Sequence, residues 1–299
     1  MGSLGGVPVE QELAGQIADL IPGDAYDVDH IDAGRAVFQI NRPSPAMSYG
    51  GSQSVHQRYL EERGPCVTNL NWFVDDVGHA QDLLTSLGAE TLIQGPSNVA
   101  RSLGDYGPEN TRAGANERPF LFLGTRKLIG FDLEIMEPNF IHFATQTIQH
   151  PAFVEPRPWA TGDLILHRLL VIVPDLAETL CNIARIFAPA SRSKPYAARE
   201  SESGRSCRVG LGGMEIEFFE FQGVDSALSP DLTNTGPGIF AIAFGTQDPE
   251  TTVARCAVVA TEHRPDDVLG MPAPHWHIAS RSICGFDILL EPPERPLEA

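Results

Sequence analysis

The sequence predicts an α+β protein of tandem βαβββ modules that form two half-open, curved mixed sheets. Two observations carry this. The stretch Gly124-Thr125-Arg126-Lys127-Leu128-Ile129-Gly130-Phe131-Asp132-Leu133 returns as Ala279-Ser280-Arg281-Ser282-Ile283-Cys284-Gly285-Phe286-Asp287-Ile288. Upstream, Gly64-Pro65 precedes Asp76 at the spacing at which Gly236-Pro237 precedes Asp248. Both stretches read as Gly-Pro, a strand, an Asp helix cap, a helix and a last strand at Gly-Phe-Asp. Self-similarity over such a length is the mark of a duplicated supersecondary unit.

Four units follow from this frame. The first offers a helix near Val9 to Ile21 and strands near Ala25 to Ile31 and Arg35 to Asn41; the counterpart of its opening strand would fall before residue 1. The second opens with Val67 to Val74. Asp75 or Asp76 then caps a helix in which Ala80, Leu83, Leu84 and Leu87 keep helical spacing, and Gly88 ends it. The third opens with Leu164 to Val173 and continues into a helix from Asp175, with Glu178 at capping-box spacing and Leu176, Leu180, Ile183 and Phe187 on its apolar face. The fourth runs from Ile239 to Pro292, with Pro249 at the first helical position after Asp248. Pairing the units gives two domains, 1–157 and 158–299. The first half is longer between its capping Asp and its Gly-Phe-Asp, and the excess lies in the polar loop Ser97 to Arg118, a lid or a tolerated insertion.

Composition excludes several classes. A 299-residue chain that is 42% hydrophobic fills two cores, and no apolar run reaches the length of a membrane span. A net charge of −18 argues against nucleic acid and against anionic membranes. Five cysteines without a Cys-x-x-Cys pair suit buried thiols in a reducing cytoplasm. The expected partners are a small-molecule substrate and, through the open edge of the incomplete first unit, a second copy in a homodimer.

Four such units, an Asp-capped helix after each opening strand, and last strands of the form Gly-x-x-x-Glu resemble the vicinal oxygen chelate superfamily. That group includes glyoxalase I, methylmalonyl-CoA epimerase, the bleomycin resistance proteins and the extradiol dioxygenases. The resemblance covers roughly 64–138 and 162–292, and 9–63 more loosely. It implies a divalent metal (Fe, Mn, Zn, Ni or Co) held by an opening-strand His and a last-strand Glu, with open positions for two substrate oxygens. By position, the last-strand Glu maps onto Glu134 and Glu217, and onto Leu289 in unit four. The opening-strand ligand maps onto Asn69, Arg168 and Ala241; His167 lies one residue before Arg168 and needs a bulge to point inward.

The expected metal ligands are therefore His167, Glu217 and His275, with His277 on the same strand face as His275 and assigned to acid–base work. Glu134 is the corresponding carboxylate of the first half and, with His277, is assigned to catalytic acid–base work. His56, which shares a face with Tyr59 if their segment is helical, is a second acid–base candidate. Asn69 and Asn71, amides on one face of an otherwise apolar strand, and the loop residues Arg101 and Tyr106 are the candidates for substrate binding. Ligand chemistry is richer in the second half, so the active cavity is expected there. Three functions remain in view: a metal-assisted isomerase or lyase acting on an oxygenated organic substrate, an extradiol-type dioxygenase, and a metal-free small-molecule binding protein.

Overall fold

The computed structural model describes residues 7–8, 27–32, 37–42, 48–49, 52–53, 55–74, 76–94, 120–136, 164–187, 198–201, 204–211, 214–221, 236–256, 261–263, 275–280 and 285–292. Arg101, Tyr106 and the expected helix from Val9 to Ile21 lie outside them. The first unit contributes short strands: β1 (Val7–Pro8), β2 (Asp27–Asp32) and β3 (Val37–Arg42) form one sheet, and β4 (Ser48–Tyr49) pairs with β5 (Ser52–Gln53). Helix α1 (Val55–Arg63) leads into the second unit, which consists of β6 (Asn69–Phe73), α2 (Val77–Ser86), β7 (Glu90–Gln94), β8 (Phe120–Gly124), the short helix α3 (Arg126–Ile129) and β9 (Asp132–Met136).

The third unit runs β10 (Ile165–Ile172), α4 (Leu176–Phe187), β11 (Arg199–Ser201), β12 (Gly204–Leu211), β13 (Met214–Phe221). The fourth runs β14 (Gly238–Gly245), α5 (Pro249–Cys256), β15 (Thr261–His263), β16 (His275–Ile278), β17 (Asp287–Glu291). Each of these three units orders its strands first, fourth, third, second: β6-β9-β8-β7, β10-β13-β12-β11 and β14-β17-β16-β15. Antiparallel pairing of β10 with β14 joins the last two into an eight-stranded mixed sheet, whereas the second unit stands as a four-stranded one. Neither sheet closes on itself.

The units also share one register. In each, the opening strand pairs in parallel with the last strand, through Asn69 with Asp132, Arg168 with Glu215, and Ala241 with Asp287. The caps agree too. Asp76, Asp175 and Asp248 each accept a hydrogen bond from the backbone N–H three residues on, at 2.9 Å in all three, satisfying a donor that the first turn leaves unpaired. Before the last strand, Thr125 Oγ1 donates to the Phe131 carbonyl and Ser280 Oγ to that of Phe286, both at 2.7 Å. Gly130 and Gly285 both take a left-handed φ, 84° and 82°. At Gly285 a Cβ would fall 1.7 Å from the Pro65 carbonyl oxygen, so glycine is required by the backbone and by the approach of the first half.

Helical faces of the two sheets pack into one core. Leu121, Leu123, Leu133 and Ile135 of the first half meet Leu169, Val171, Ile183, Phe187 and Phe218 of the second in a single cluster. Trp72 packs on Phe187 with ring centroids 4.7 Å apart, and Phe131 stacks on Phe218. Each large apolar side chain so buried stabilises by about 1.5–3 kcal/mol. With those faces turned inward to the shared core, the opposite face of each sheet holds the remaining polar positions.

Candidate functional site

On the four-stranded sheet, the pairings Asn71–Glu134 and Phe122–Glu134 put Asn69, Asn71, Phe122, Asp132 and Glu134 on the face away from the shared core. Asn69 Nδ2 donates to Glu134 Oε2 at 3.1 Å and to Asn71 Oδ1 at 2.5 Å. Helix α1 lies against this face. Its apolar spacing is weak, yet His56 and Tyr59 both turn toward Phe122. The His56 ring meets Phe122 edge-on at 5.9 Å, and the Tyr59 ring lies 6.4 Å from it. The Tyr59 hydroxyl donates to Asp132, which also accepts from the backbone N–H of Arg126 at 2.8 Å and pairs with that guanidinium at 3.4 Å. Arg126 also donates to the carbonyls of Val67 and Thr68, so its charge ties the turn to the segment that leads into β6.

Four residues singled out in the sequence, His56, Asn69, Asn71 and Glu134, thus come to one face. Their charge states are set by burial. Desolvation pushes the Glu134 carboxyl up to about 7, with the Asn69 hydrogen bond opposing it, and lowers His56 to about 4. The usual order of a carboxylic acid and an imidazole is reversed: near neutral pH His56 is uncharged and Glu134 is poised between its two forms.

The eight-stranded sheet treats the matching face differently. Glu217 is buried, yet it is compensated by an ion pair with Arg168 Nη1 at 2.9 Å and by hydrogen bonds from Arg208 Nε at 3.1 Å and Ser206 Oγ at 3.3 Å. Arg168 also forms an ion pair with Glu291, and His167 Nδ1 lies 2.9 Å from the other oxygen of that carboxylate. Burial raises Glu291, but the His167 hydrogen bond and the Arg168 charge outweigh it and hold the carboxyl below its ordinary range. The bulge that would turn His167 inward is present: the β10–β14 register shifts between Leu166 and Arg168. Around this network Leu170, Ala241, Ala243, Phe219 and Leu289 form an apolar cluster.

His167 and Glu217 therefore sit near one another but belong to an ion network, not to an open ligand set. His275 and His277 lie on β16, as expected; His277 Nε2 is 3.3 Å from Asp287, and the backbone of His275 pairs with His263. Among the described residues, neither carboxylate presents an open ligand set for a divalent metal. Glu217 is committed to two guanidinium groups, and Glu134 faces an amide N–H where a further oxygen or imidazole would be needed. Among the described residues no three His, Cys, Asp or Glu side chains form a metal-holding group. Sequence reasoning missed Arg208 and Glu291, and passed over Arg168 as a failed ligand position. The available signal was the charged residues at alternating positions in otherwise apolar strands, Arg208 in β12 and Glu215 and Glu217 in β13.

Comparison with solved structures decides the fold. A mutant of 4-hydroxymandelate synthase from Streptomyces coelicolor aligns over 96% of this chain and 91% of its own, with a TM-score of 0.53 at 15% identity. The fold is that of the vicinal oxygen chelate proteins. Shorter chains also align: methylmalonyl-CoA epimerase from Streptomyces coelicolor, over 44% of this chain and 97% of its own (TM-score 0.37, 18% identity), and a hypothetical protein from Bacillus halodurans, over 46% and 99% (TM-score 0.37, 14% identity). No protein-family model and no curated protein matches the chain. No described helix is long and apolar enough to cross a membrane.

Proposed function

We propose that this vicinal oxygen chelate-fold chain is a small-molecule enzyme of the isomerase or lyase kind, in which Glu134 moves a proton at a carbon next to a carbonyl group. The observation that carries the reading is the Glu134 carboxyl itself: half-buried on the polar sheet face, raised to about 7 by desolvation, and held by the Asn69 amide at 3.1 Å. A general base is most effective when its pKa lies near the working pH. As carboxylate, Glu134 takes the proton from the substrate carbon. The negative charge that develops on the carbonyl oxygen is met by amide N–H groups, a role this reading gives to the exposed Asn71. Glu134, now protonated, returns the proton to carbon in an isomerisation or to a leaving group in an elimination. His56, uncharged near neutral pH, orients the substrate as a hydrogen-bonding group. Phe122 and Tyr59 supply apolar walls, and the donor set asks for no metal in these steps.

The test is solvent exchange. Incubating the protein with a panel of oxo acids and thioesters in D2O, read by proton NMR, is expected to show deuterium entering the carbon next to the carbonyl of at least one compound. Glu134→Gln is expected to slow that exchange by roughly 100-fold or more, and the rate in the parent protein is expected to rise with pH through about 7. Exchange that survives Glu134→Gln unchanged would overturn the reading. A metal-free binding protein is the second reading, favoured by the closed ion network of the second half. It predicts saturable binding of a compound with no exchange at all.

A further inference from the structure

The polar face of the four-stranded sheet carries a hydrogen-bond chain that runs in one direction. The Thr68 hydroxyl donates to Asn69 Oδ1 at 2.6 Å, and Asn69 Nδ2 donates in turn to Asn71 Oδ1 and, at 3.1 Å, to Glu134 Oε2. The separations at the two ends of Asn69 differ in kind: 2.6 Å suits O–H···O and 3.1 Å suits N–H···O. With Glu134 ionised, an Asn69 amide turned over would set its carbonyl oxygen against the carboxylate. It would also bring its nitrogen to the hydroxyl at a distance shorter than an N–H···O bond prefers. Thr68 is itself held in place. Arg126, paired with Asp132, donates from Nη2 to the carbonyls of Val67 and Thr68, at 3.2 Å to each.

Resting on the reading of Glu134 as the group that moves the proton, we infer that Thr68 is its positioning residue: the hydroxyl holds Asn69 with its N–H toward Glu134 and its carbonyl away, and so fixes the direction of the chain that a substrate meets at Asn71. Two consequences follow for the chemistry. The Asn69 donor favours the carboxylate form of Glu134 against the burial that disfavours it. Asn71 accepts the Asn69 N–H on its oxygen, so its outer group is an N–H donor, suited to a carbonyl oxygen. Among the described residues, the titratable groups around this face are His56 and Tyr59 of α1, Cys66 before β6 and Asp132 of β9, while β6 brings amides and β8 brings Phe122. His56 titrates near 4, and burial pushes the Tyr59 hydroxyl and the Cys66 thiol up. Asp132 is taken up by Tyr59 and Arg126, and the guanidinium groups of Arg63 and Arg126 lie over the Tyr59 ring.

The probe is the carboxyl itself. Full-length protein carrying carbon-13 at its glutamate carboxyls is titrated by NMR from pH 5 to pH 9, the Glu134 signal being the one that Glu134→Gln removes. Thr68→Val and Thr68→Ala are each expected to move the Glu134 midpoint up by about one pH unit, and Thr68→Ser to restore the parent midpoint. In the Asn69→Ala background, Thr68→Val is expected to change nothing further, because the hydroxyl acts through Asn69. A threonine that only supports the fold would give neither the restoration nor the masking. The inference is overturned if both Thr68 variants titrate at or below the parent midpoint, if serine does not restore it, if the Thr68 and Asn69 changes add, or if neither Thr68→Val nor Thr68→Ala folds. The deuterium-exchange assay keeps the two readings apart. Midpoints that move as expected without exchange from any compound support the positioning by Thr68 and remove the proton-moving role of Glu134. Exchange that depends on Glu134, with midpoints indifferent to Thr68, overturns the positioning alone.

Discussion

Glu134 and Glu217 occupy the same place in two copies of one module, two residues into the shared register after Asp132 and Glu215, and they live opposite lives. Glu134 has an amide for a partner and a carboxyl raised to about 7. Glu217 has two guanidinium groups and a hydroxyl within 3.3 Å. The difference comes from the residue that each module places beside the carboxylate. On the opening strand Asn69 stands where Arg168 stands, and on the third strand Phe122 is the register partner of Glu134 as Arg208 is of Glu217. One scaffold thus leaves a carboxyl titrating near neutrality in one half and builds a fixed ion network in the other. Desolvation without compensation leaves a carboxyl titratable near neutrality; desolvation with two cations makes it structural.

The same conservative substitution at the two positions is the sharpest way to break this comparison. Glu217→Gln leaves Arg168 and Arg208 short of a buried counter-charge. It is expected to cost about 3–5 kcal/mol of stability, read from chemical denaturation at neutral pH. Glu134→Gln is expected to cost nothing there and to stabilise at pH 8, because it removes a carboxylate that burial disfavours. Equal losses from both would show that the two carboxylates share one role after all.

The pH dependence sharpens the first half alone. The folded Glu134 carboxyl is raised to about 7 from an ordinary value of 4.5, so between those values the folded state binds more protons than the unfolded state. Stability linked to this group is fully present below about 4.5, falls as pH rises through 7 and stays low above it. The whole effect amounts to at most about 3 kcal/mol. Glu134→Gln is expected to flatten this slope in unfolding curves taken from pH 5 to pH 8. A slope that persists in the variant would assign the titration to another group.

How much of this was legible in the sequence follows from what each feature depends on. The module was readable because its marks are local: an Asp before each helix, glycine at the positive-φ positions 130 and 285, a hydroxyl six residues before each Phe carbonyl. The conditional reading of His167, that it turns inward if β10 is bulged, also rested on strand alternation alone. The ion network was not readable in the same way. Arg168 and Glu291 lie on strands of different modules, 123 residues apart, and nothing local to either announces the other. The packing of α1 on the polar face was hidden for a related reason: His56, Tyr59 and Phe122 form no periodic apolar pattern, and only the tertiary fold makes a wall of them.

A matched pair in the two turns tests whether the modules are equivalent wherever their local marks agree. Thr125 and Ser280 hold the same hydrogen bond, hydroxyl to Phe carbonyl at 2.7 Å, in front of the same Asp, and both are buried. Thr125→Val keeps the volume and removes the hydroxyl; Ser280→Ala does the same within one atom. Each leaves a carbonyl oxygen that has lost its hydroxyl donor, so each is expected to cost about 1–2 kcal/mol. The two losses are expected to agree to within about 0.5 kcal/mol, and to add in the double variant because the turns lie in different sheets. Denaturant midpoints of the three variants measure this. If one turn proves dispensable and the other costly, the copies have diverged in their frames as well as in their charged faces, and the contrast between Glu134 and Glu217 no longer isolates the partner residue as its cause.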